Sequence, residues 1–139
     1  MDRHEKALEI LHNGTVIPAI PLVLDQNRKF DPLGQRRLVR YYLEAGAGGV
    51  AAAVHTTQFE IRDPEFDLLR PVLETVAEEL DDFERTSGKT PVRIAGVCGE
   101  TPQARQEALL AKELGYDAVL LSPGGLNHLS EEAMLQRTE

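Results

Sequence analysis

Apolar runs alternate with amphipathic segments along the chain, and glycine, proline, aspartate or serine stands at most of the boundaries. The run GVAAAV at 49–54 is apolar throughout rather than alternating with polar residues. That pattern is typical of a strand covered on both faces, as in a parallel sheet. The strands predicted from these runs are 15–24, 49–54, 91–97 and 117–122. Pro18 and Pro21 each remove a backbone N–H donor from the first of them.

The amphipathic segments carry apolar residues at the 3.6-residue period of a helix, together with helix-start and helix-stop signals. A short helix over residues 1–12, closed by Asn13 and Gly14, is predicted before the first strand. The residues predicted to start the later helices are Asp31 with Pro32, Pro71, Thr101 with Pro102, and Ser130, and the predicted stops are Gly46 and Gly115. The order is therefore one helix followed by four β/α units, with the last unit cut short.

Parallel strands joined by helices form two standard architectures, the closed (β/α)8 barrel of about 250 residues and the open doubly wound sheet. Nucleotide-binding open sheets usually carry a glycine fingerprint after the first strand, and LDQNRKFD at 24–31 contains no glycine. Four units are half of a barrel. We therefore predict an α/β fold of TIM-barrel type, in which residues 1–139 form a single domain that is the N-terminal half of the barrel.

Charge and composition exclude several classes of function. The chain has 23 acidic and 15 basic residues and a formal charge of −8, so no basic stripe is available for nucleic acid. Residues 1–12 lack the apolar block of a signal peptide, and no membrane-length apolar run is present. The single cysteine, Cys98, agrees with a reducing compartment. We expect a cytoplasmic protein with neither a nucleic-acid nor a membrane partner.

Four consecutive side chains able to hydrogen-bond follow the second predicted strand, at His55, Thr56, Thr57 and Gln58. Two adjacent hydroxyls there could hold a small anionic group. Alternatively, both hydroxyls satisfy backbone groups where the strand turns into a loop. His55 either contacts a substrate or shuttles a proton, or else it bonds a carbonyl at the strand end. Phe59 is expected to pack against the neighbouring helix.

Other conspicuous residues favour structural interpretations. Cys98 has no nearby base in the sequence, so a buried and unreactive thiol is expected. SPGG at 122–125 matches no phosphate-binding motif and predicts a flexible turn. The acidic residues around Glu78 and Asp82 are expected on a solvated helix face. His4, His12 and His128 are scattered, so neither a metal site nor a cofactor is expected.

The ordered runs PAIPLVLDQNRKFDPLGQRRLVRYYLEAGAGGVAAAVHTTQFE, PVRIAGVCGETPQA and ELGYDAVLLSPGG resemble the first half of the dihydrodipicolinate synthase and N-acetylneuraminate lyase family. Thr56 and Thr57 match the paired threonines of that family's Gly-Thr-Thr-Gly-Glu signature. The resemblance implies an eight-fold barrel in which a strand-six lysine forms a Schiff base with pyruvate or another 2-oxo acid, and a strand-five tyrosine relays protons. It implies a proton-relay role for Thr56 and binding of the substrate carboxylate by Thr57, with His55 and Gln58 as further substrate-binding residues.

The chain departs from that family pattern at several positions. Leu22 and Val23 replace the usual Thr-Pro after strand one, and Gly124 and Gly125 replace the tyrosines that often follow strand four. His55 replaces the first signature glycine, and Gln58 and Phe59 replace the following Gly-Glu. Strands five and six are expected beyond Glu139. The lysines that are present are expected on helices, or in loops that approach strands from their amino ends; they are Lys6, Lys29, Lys89 and Lys112.

We therefore expect the parent protein to be a carbon–carbon lyase of the Schiff-base aldolase type acting on a small 2-oxo acid, and the 139-residue chain alone to be inactive. The alternative is a non-catalytic half-barrel that binds a ligand or pairs with a second chain. Strands one and four would be unpaired edges, and exposed edges recruit partners. A homo-oligomer is expected.

Overall fold

The computed structural model describes all 139 residues. Its helices are α1 (Arg3–Asn13), α2 (Pro32–Glu44), α3 (Leu69–Ser87), α4 (Thr101–Glu113) and α5 (Glu131–Gln136). Its strands are β1 (Gly49–Ala52), β2 (Val92–Val97) and β3 (Ala118–Leu121). Two short 3-10 turns, His55–Thr57 and Phe59–Arg62, follow β1. None of the helices combines the length and the apolar character needed to cross a membrane.

The three strands form one parallel sheet in the order β1-β2-β3. Gly49 lies opposite Val92, and Ile94 lies opposite Ala118. Each strand is followed by a helix or by helical turns, so the predicted alternation of parallel strands and helices is confirmed. All side chains of β1 are buried, as its continuous apolar run predicts.

The first predicted strand, 15–24, is wrong as a regular strand, although its first half lies where a strand would lie. Ala51 donates its amide to the carbonyl of Pro18 at 2.9 Å and accepts from the amide of Ile20 at 3.0 Å, so the segment runs parallel to β1. Proline has no N–H, which prevents the ladder from continuing at Pro18 and Pro21. Further along this segment, the buried side chain of Gln35 on α2 bonds the backbone in place of a neighbouring strand. Its Oε1 accepts from the amide of Val23 at 2.9 Å, and its Nε2 donates to the carbonyl of Pro21 at 3.1 Å.

The predicted helix starts depend on local capping interactions. The carboxylate of Asp31 accepts from the amide of Gly34 at 3.0 Å, and the hydroxyl of Ser130 accepts from Ala133 at 3.1 Å. Helix α3 begins at Leu69 rather than at the predicted Pro71. Proline is tolerated there because amides in the first helical turn have no partner within the helix.

The hydrophobic core lies between the sheet and helices α2 and α3. Helix α3 presents its buried face to α2 and to β1, where Val39, Leu43 and Val50 are fully or almost fully buried. The buried apolar residues of α3 recur at helical spacing and are Val72, Leu73, Val76, Ala77, Leu80 and Phe83.

The acidic stretch of α3 is only partly solvated, so the prediction was wrong for Glu79. Its side chain is 8% exposed and forms ion pairs with Arg36 and Arg40 of α2. Arg36 also pairs with Asp82. Glu78 and Asp81 remain exposed, as predicted. The charges of Glu79 and Asp82 therefore join the two helices that cover the core.

Strand β3 forms the far edge of the sheet and pairs only with β2. Val119 is 45% exposed and Leu120 is 58% exposed, although consecutive side chains of a strand point to opposite faces. Both faces of β3 are therefore incompletely covered, in contrast to those of β1.

Candidate functional site

A cavity of about 400 Å³ opens where the parallel strands end at their carboxyl edge. Its polar wall is formed by His55, Thr56 and Ser122. Apolar side chains including Val54, Val97 and Leu121 form the remainder. A mainly apolar pocket with a few converging polar groups is the usual form of a small-molecule site, and parallel α/β folds place such sites at this edge.

The backbone turns sharply as it leaves β1. Ala53, fully buried, has a φ of 59° in the left-handed region, which a non-glycine residue adopts at a cost. The amide of Thr57 then donates to the carbonyl of Val54 at 3.0 Å, closing the first 3-10 turn. Gln58, with a φ of 79°, begins the second turn. The side chains that follow β1 are therefore directed by two left-handed residues.

The structure separates the four predicted site residues into two pairs. His55 and Thr56 are exposed and line the cavity. Thr57 is fully buried, and its hydroxyl donates to the carbonyl of Ile20 at 2.7 Å. Gln58 faces a different cavity of about 270 Å³, which it shares with Leu22 and other residues. Only His55 and Thr56 therefore meet at the carboxyl-edge cavity.

Phe59 also contributes to the wall of this cavity. Its ring lies 5.6 Å from the imidazole of His55, measured between ring centroids. The guanidinium carbon of Arg62 lies over the same ring, 5.6 Å from the phenyl centroid. The ring thus connects a cavity residue with a buried cation.

Arg62 and Glu107 form a buried ion pair behind the cavity that the sequence analysis did not anticipate. Their side chains are 8% and 7% exposed, and Nε of Arg62 lies 2.7 Å from Oε1 of Glu107. Nη2 of Arg62 donates to the carbonyls of Ala53 and Gly96, each at 2.9 Å. One signal was available in the sequence: Glu107 occupies the face of α4 that also carries the buried Ala104 and Ala111.

Cys98 lies just after β2 in the same region, and its amide donates to Glu107 at 3.2 Å. Burial raises the pKa of the Cys98 thiol, and the nearby positive charge of Arg62 offsets this only in part. The thiol is therefore protonated at neutral pH, in line with the predicted unreactive cysteine.

None of the four lysines lines the carboxyl-edge cavity, and all four are exposed. The predicted position of Lys29 was wrong. Lys29 closes a turn in which the amide of Asp25 donates to its carbonyl at 2.8 Å, and this turn follows the segment that lies beside β1. Lys29 is therefore on the carboxyl side of the sheet, although it remains outside the cavity.

No protein-family model matches the chain, and no curated protein matches it in sequence. Solved structures do match it. A sialic acid aldolase from Ruminococcus gnavus aligns with a TM-score of 0.71 and 28% identity, over 88% of this chain and 38% of its own. A dihydrodipicolinate synthase from Bacillus anthracis, DapA-2, aligns with a TM-score of 0.75 and 25% identity, over 90% of this chain and 40% of its own. An N-acetylneuraminate lyase from Mycoplasma synoviae aligns with a TM-score of 0.62 and 23% identity, over 77% and 34%.

The chain therefore has the fold of the α/β barrel aldolases and corresponds to about half of such a barrel. The predicted resemblance to the dihydrodipicolinate synthase and N-acetylneuraminate lyase family is confirmed by these structures. The chain spans about 40% of the length of DapA-2, so it represents less than half of each protein that it matches here.

Proposed function

We propose that these 139 residues form the N-terminal half of an aldolase barrel that acts on pyruvate or another small 2-oxo acid. The observation that supports this most directly is the joint placement of His55 and Thr56 in the cavity at the carboxyl edge of the sheet. The likeness to sialic acid aldolase and dihydrodipicolinate synthase structures supports the same class of reaction.

The reaction would begin with attack of a lysine amine on the carbonyl carbon of the 2-oxo acid. Loss of water would give an imine, and removal of a proton would give the enamine that forms or breaks the carbon–carbon bond. The lysine and the relay tyrosine would lie on strands that these residues do not include. The apolar part of the cavity wall suits this chemistry, because a dry pocket lowers the pKa of an amine.

Within this scheme, the hydroxyl of Thr56 would pass the proton, since it is free to face the cavity. His55 would hydrogen-bond the substrate from the neighbouring position. The role proposed for Thr57, binding of the substrate carboxylate, requires its hydroxyl to leave the carbonyl of Ile20, because a carboxylate only accepts hydrogen bonds and the hydroxyl has one proton to donate. Gln58 would reach the substrate only after moving from its own cavity.

A second function, pairing with another half-barrel, is supported by strand β3. Its outer edge has no partner, and Val119 and Leu120 are exposed on it. Edge strands with exposed apolar residues associate with other strands. In this alternative the chain is a homo-oligomer or part of a larger assembly, and the cavity binds a ligand without reaction.

Reductive trapping distinguishes the two functions. The complete protein that contains these residues is treated with borohydride in the presence of pyruvate, and its intact mass is measured. The aldolase proposal expects the mass increase of one reduced pyruvate imine per chain, mapped to a single lysine. The 139-residue chain is the control and should gain nothing, because none of its lysines lines the cavity. Absence of an adduct with every 2-oxo acid tested would contradict the aldolase proposal.

A further inference from the structure

We propose that Arg62 is a positioning residue that holds the exit of β1 so that His55 and Thr56 face the cavity. The inference deepens the proposed function, since it rests on that cavity being the 2-oxo acid site. Arg62 itself does not line the cavity. It would act through the backbone of Ala53 and the ring of Phe59.

Arg62 bonds the backbone where β1 and β2 end. The pairing of β1 with β2 ends at Ala52 and Ala95, one residue before Ala53 turns into the left-handed region. Nη2 of Arg62 then donates to Ala53 and Gly96, the next carbonyl on each strand. A side-chain donor thus bridges the two strands where the ladder stops. Gly96 permits this close approach, because a Cβ built there would lie 2.3 Å from the carbonyl oxygen of Ala53.

The buried charge of Arg62 is balanced by Glu107 of α4. A buried guanidinium needs a close and well-fixed counter-ion, since desolvation of an unpaired charge is costly. Glu107 provides it, and Oε2 of Glu107 is itself held by the amide group of Gln103 at 2.8 Å. The pair fixes the second 3-10 turn, which ends at Arg62, against helix α4.

Phe59 connects Arg62 with the wall of the cavity. The ring of Phe59 lies close to both Arg62 and His55, with 5.6 Å from its centroid to the guanidinium carbon and to the imidazole centroid. A continuous series of contacts therefore runs from Glu107 on α4 through Arg62 and Phe59 to His55. Movement of the guanidinium would release both the backbone before His55 and the ring beside it.

Lysine cannot replace arginine in this arrangement, because an ammonium lacks the planar fork that reaches a carboxylate and two carbonyls together. The test compares Arg62→Lys with Arg70→Lys in the 139-residue chain. Arg70 is a matched control, since it also pairs with a carboxylate of α4, Glu113, but on the exposed surface.

Amide hydrogen exchange followed by NMR gives the first readout. The amides of Thr57 and Gln58 donate to Val54 and His55 within the first turn, whereas the amide of Val92 donates to Gly48 in the sheet. In Arg62→Lys, exchange at Thr57 and Gln58 should rise about tenfold or more, and exchange at Val92 should change less than about twofold. Arg70→Lys should alter neither site. Unchanged exchange at Thr57 and Gln58, or the same rise at Val92, would overturn the positioning role.

Titration of the complete protein that contains these residues with pyruvate gives the second readout, from the shifts of the His55 and Thr56 resonances. Wild type and Arg70→Lys should bind equally, and Arg62→Lys should bind about tenfold more weakly. If wild type does not respond to pyruvate, the proposed function fails, while the exchange data still decide the role of Arg62. Should Arg62→Lys fail to fold, Glu107→Gln replaces it, because this change removes the negative charge that fixes Arg62 and leaves the size of the side chain unchanged. The same local rise in exchange is then required, and its absence would refute the proposal.

Discussion

The hydroxyl of Thr57 donates to the backbone carbonyl of Ile20 at 2.7 Å and is fully buried, whereas its neighbour Thr56 lines the cavity. Two adjacent threonines therefore have different environments. Thr57 joins the segment before α2 to the exit of β1, so it supports the edge on which the cavity is built.

The substitution Thr57→Val should reduce the free energy of unfolding by about 1–3 kcal/mol, because the buried carbonyl of Ile20 loses its donor. Thr57→Ser keeps the hydroxyl and should cost less. Urea unfolding followed by circular dichroism measures both changes. Thr56→Val is the control, since Thr56 is exposed and its loss should change stability by less than about 0.5 kcal/mol. Equal effects at the two positions would contradict this assignment.

Asp117 should make the stability of the fold depend on pH in the acid range. Burial tends to raise the pKa of Asp117, but hydrogen bonds from Arg3, His4 and the amide of Arg93 outweigh it and hold the pKa below its ordinary value. A carboxyl with a lowered folded-state pKa stabilises the fold above its unfolded pKa of about 4. That stabilisation is lost as the pH falls from there through the folded-state pKa.

Asp117→Asn should therefore lower stability by about 2 kcal/mol at neutral pH and flatten the acid limb of the stability curve. The measurement is urea unfolding at several pH values between neutral and strongly acidic. Asp2, which caps α1, provides the matched Asp→Asn control at an exposed site. If Asp117→Asn retains the acid dependence of wild type, the carboxyl does not have the lowered pKa.

Glu79 and Glu78 are adjacent acids whose replacement should reduce the free energy of unfolding by very different amounts. Glu79 accepts from Nε of Arg36 at 2.9 Å and also pairs with Arg40, so Glu79→Ala leaves two half-buried guanidinium groups without this partner. We expect a loss of about 2–3 kcal/mol for Glu79→Ala and less than about 0.5 kcal/mol for Glu78→Ala. Thermal and chemical unfolding of both variants measure the difference, and similar losses would contradict the interhelical role of Glu79.

The edge strand β3 should make the isolated chain self-associate. Val119 and Leu120 are exposed on an unpaired strand, so we expect dimers or larger species at micromolar concentrations in analytical ultracentrifugation. Leu120→Lys should shift the population toward monomer, because a charge on an edge opposes pairing. Leu109→Lys, at an exposed leucine of α4, is the control and should not shift it. A wild-type chain that sediments as a stable monomer would contradict this prediction.

Cys98 should react slowly with thiol reagents. Burial raises its pKa, so the thiolate fraction at neutral pH is smaller than that of free cysteine. The alkylation rate by iodoacetamide, measured against free cysteine as a function of pH, should be lower at every pH and should rise at a more alkaline midpoint. A rate at neutral pH above that of free cysteine would show an activated thiolate instead.

The sequence predicted the elements and missed the contacts between distant residues. Runs of apolar residues located β1, β2 and β3, and the caps at Asp31 and Ser130 fixed two helix starts within a few residues. The resemblance drew attention to Thr56 and Thr57 as a pair. Nothing within that pair shows that one hydroxyl faces a cavity and the other faces Ile20, because the direction depends on the left-handed backbone at Ala53.

By itself, the sequence determined the order of strands and helices and the parallel character of the sheet, because these follow from short-range periodicity and from capping within one helical turn. Tertiary structure alone decided which polar groups are buried. Arg62 and Glu107 are 45 positions apart in the sequence, and Ile20 and Thr57 are 37 positions apart. Both contacts form only when the strand ends converge. Such contacts depend on the three-dimensional path of the chain, which brings together residues whose own neighbours in sequence give no indication of the partner.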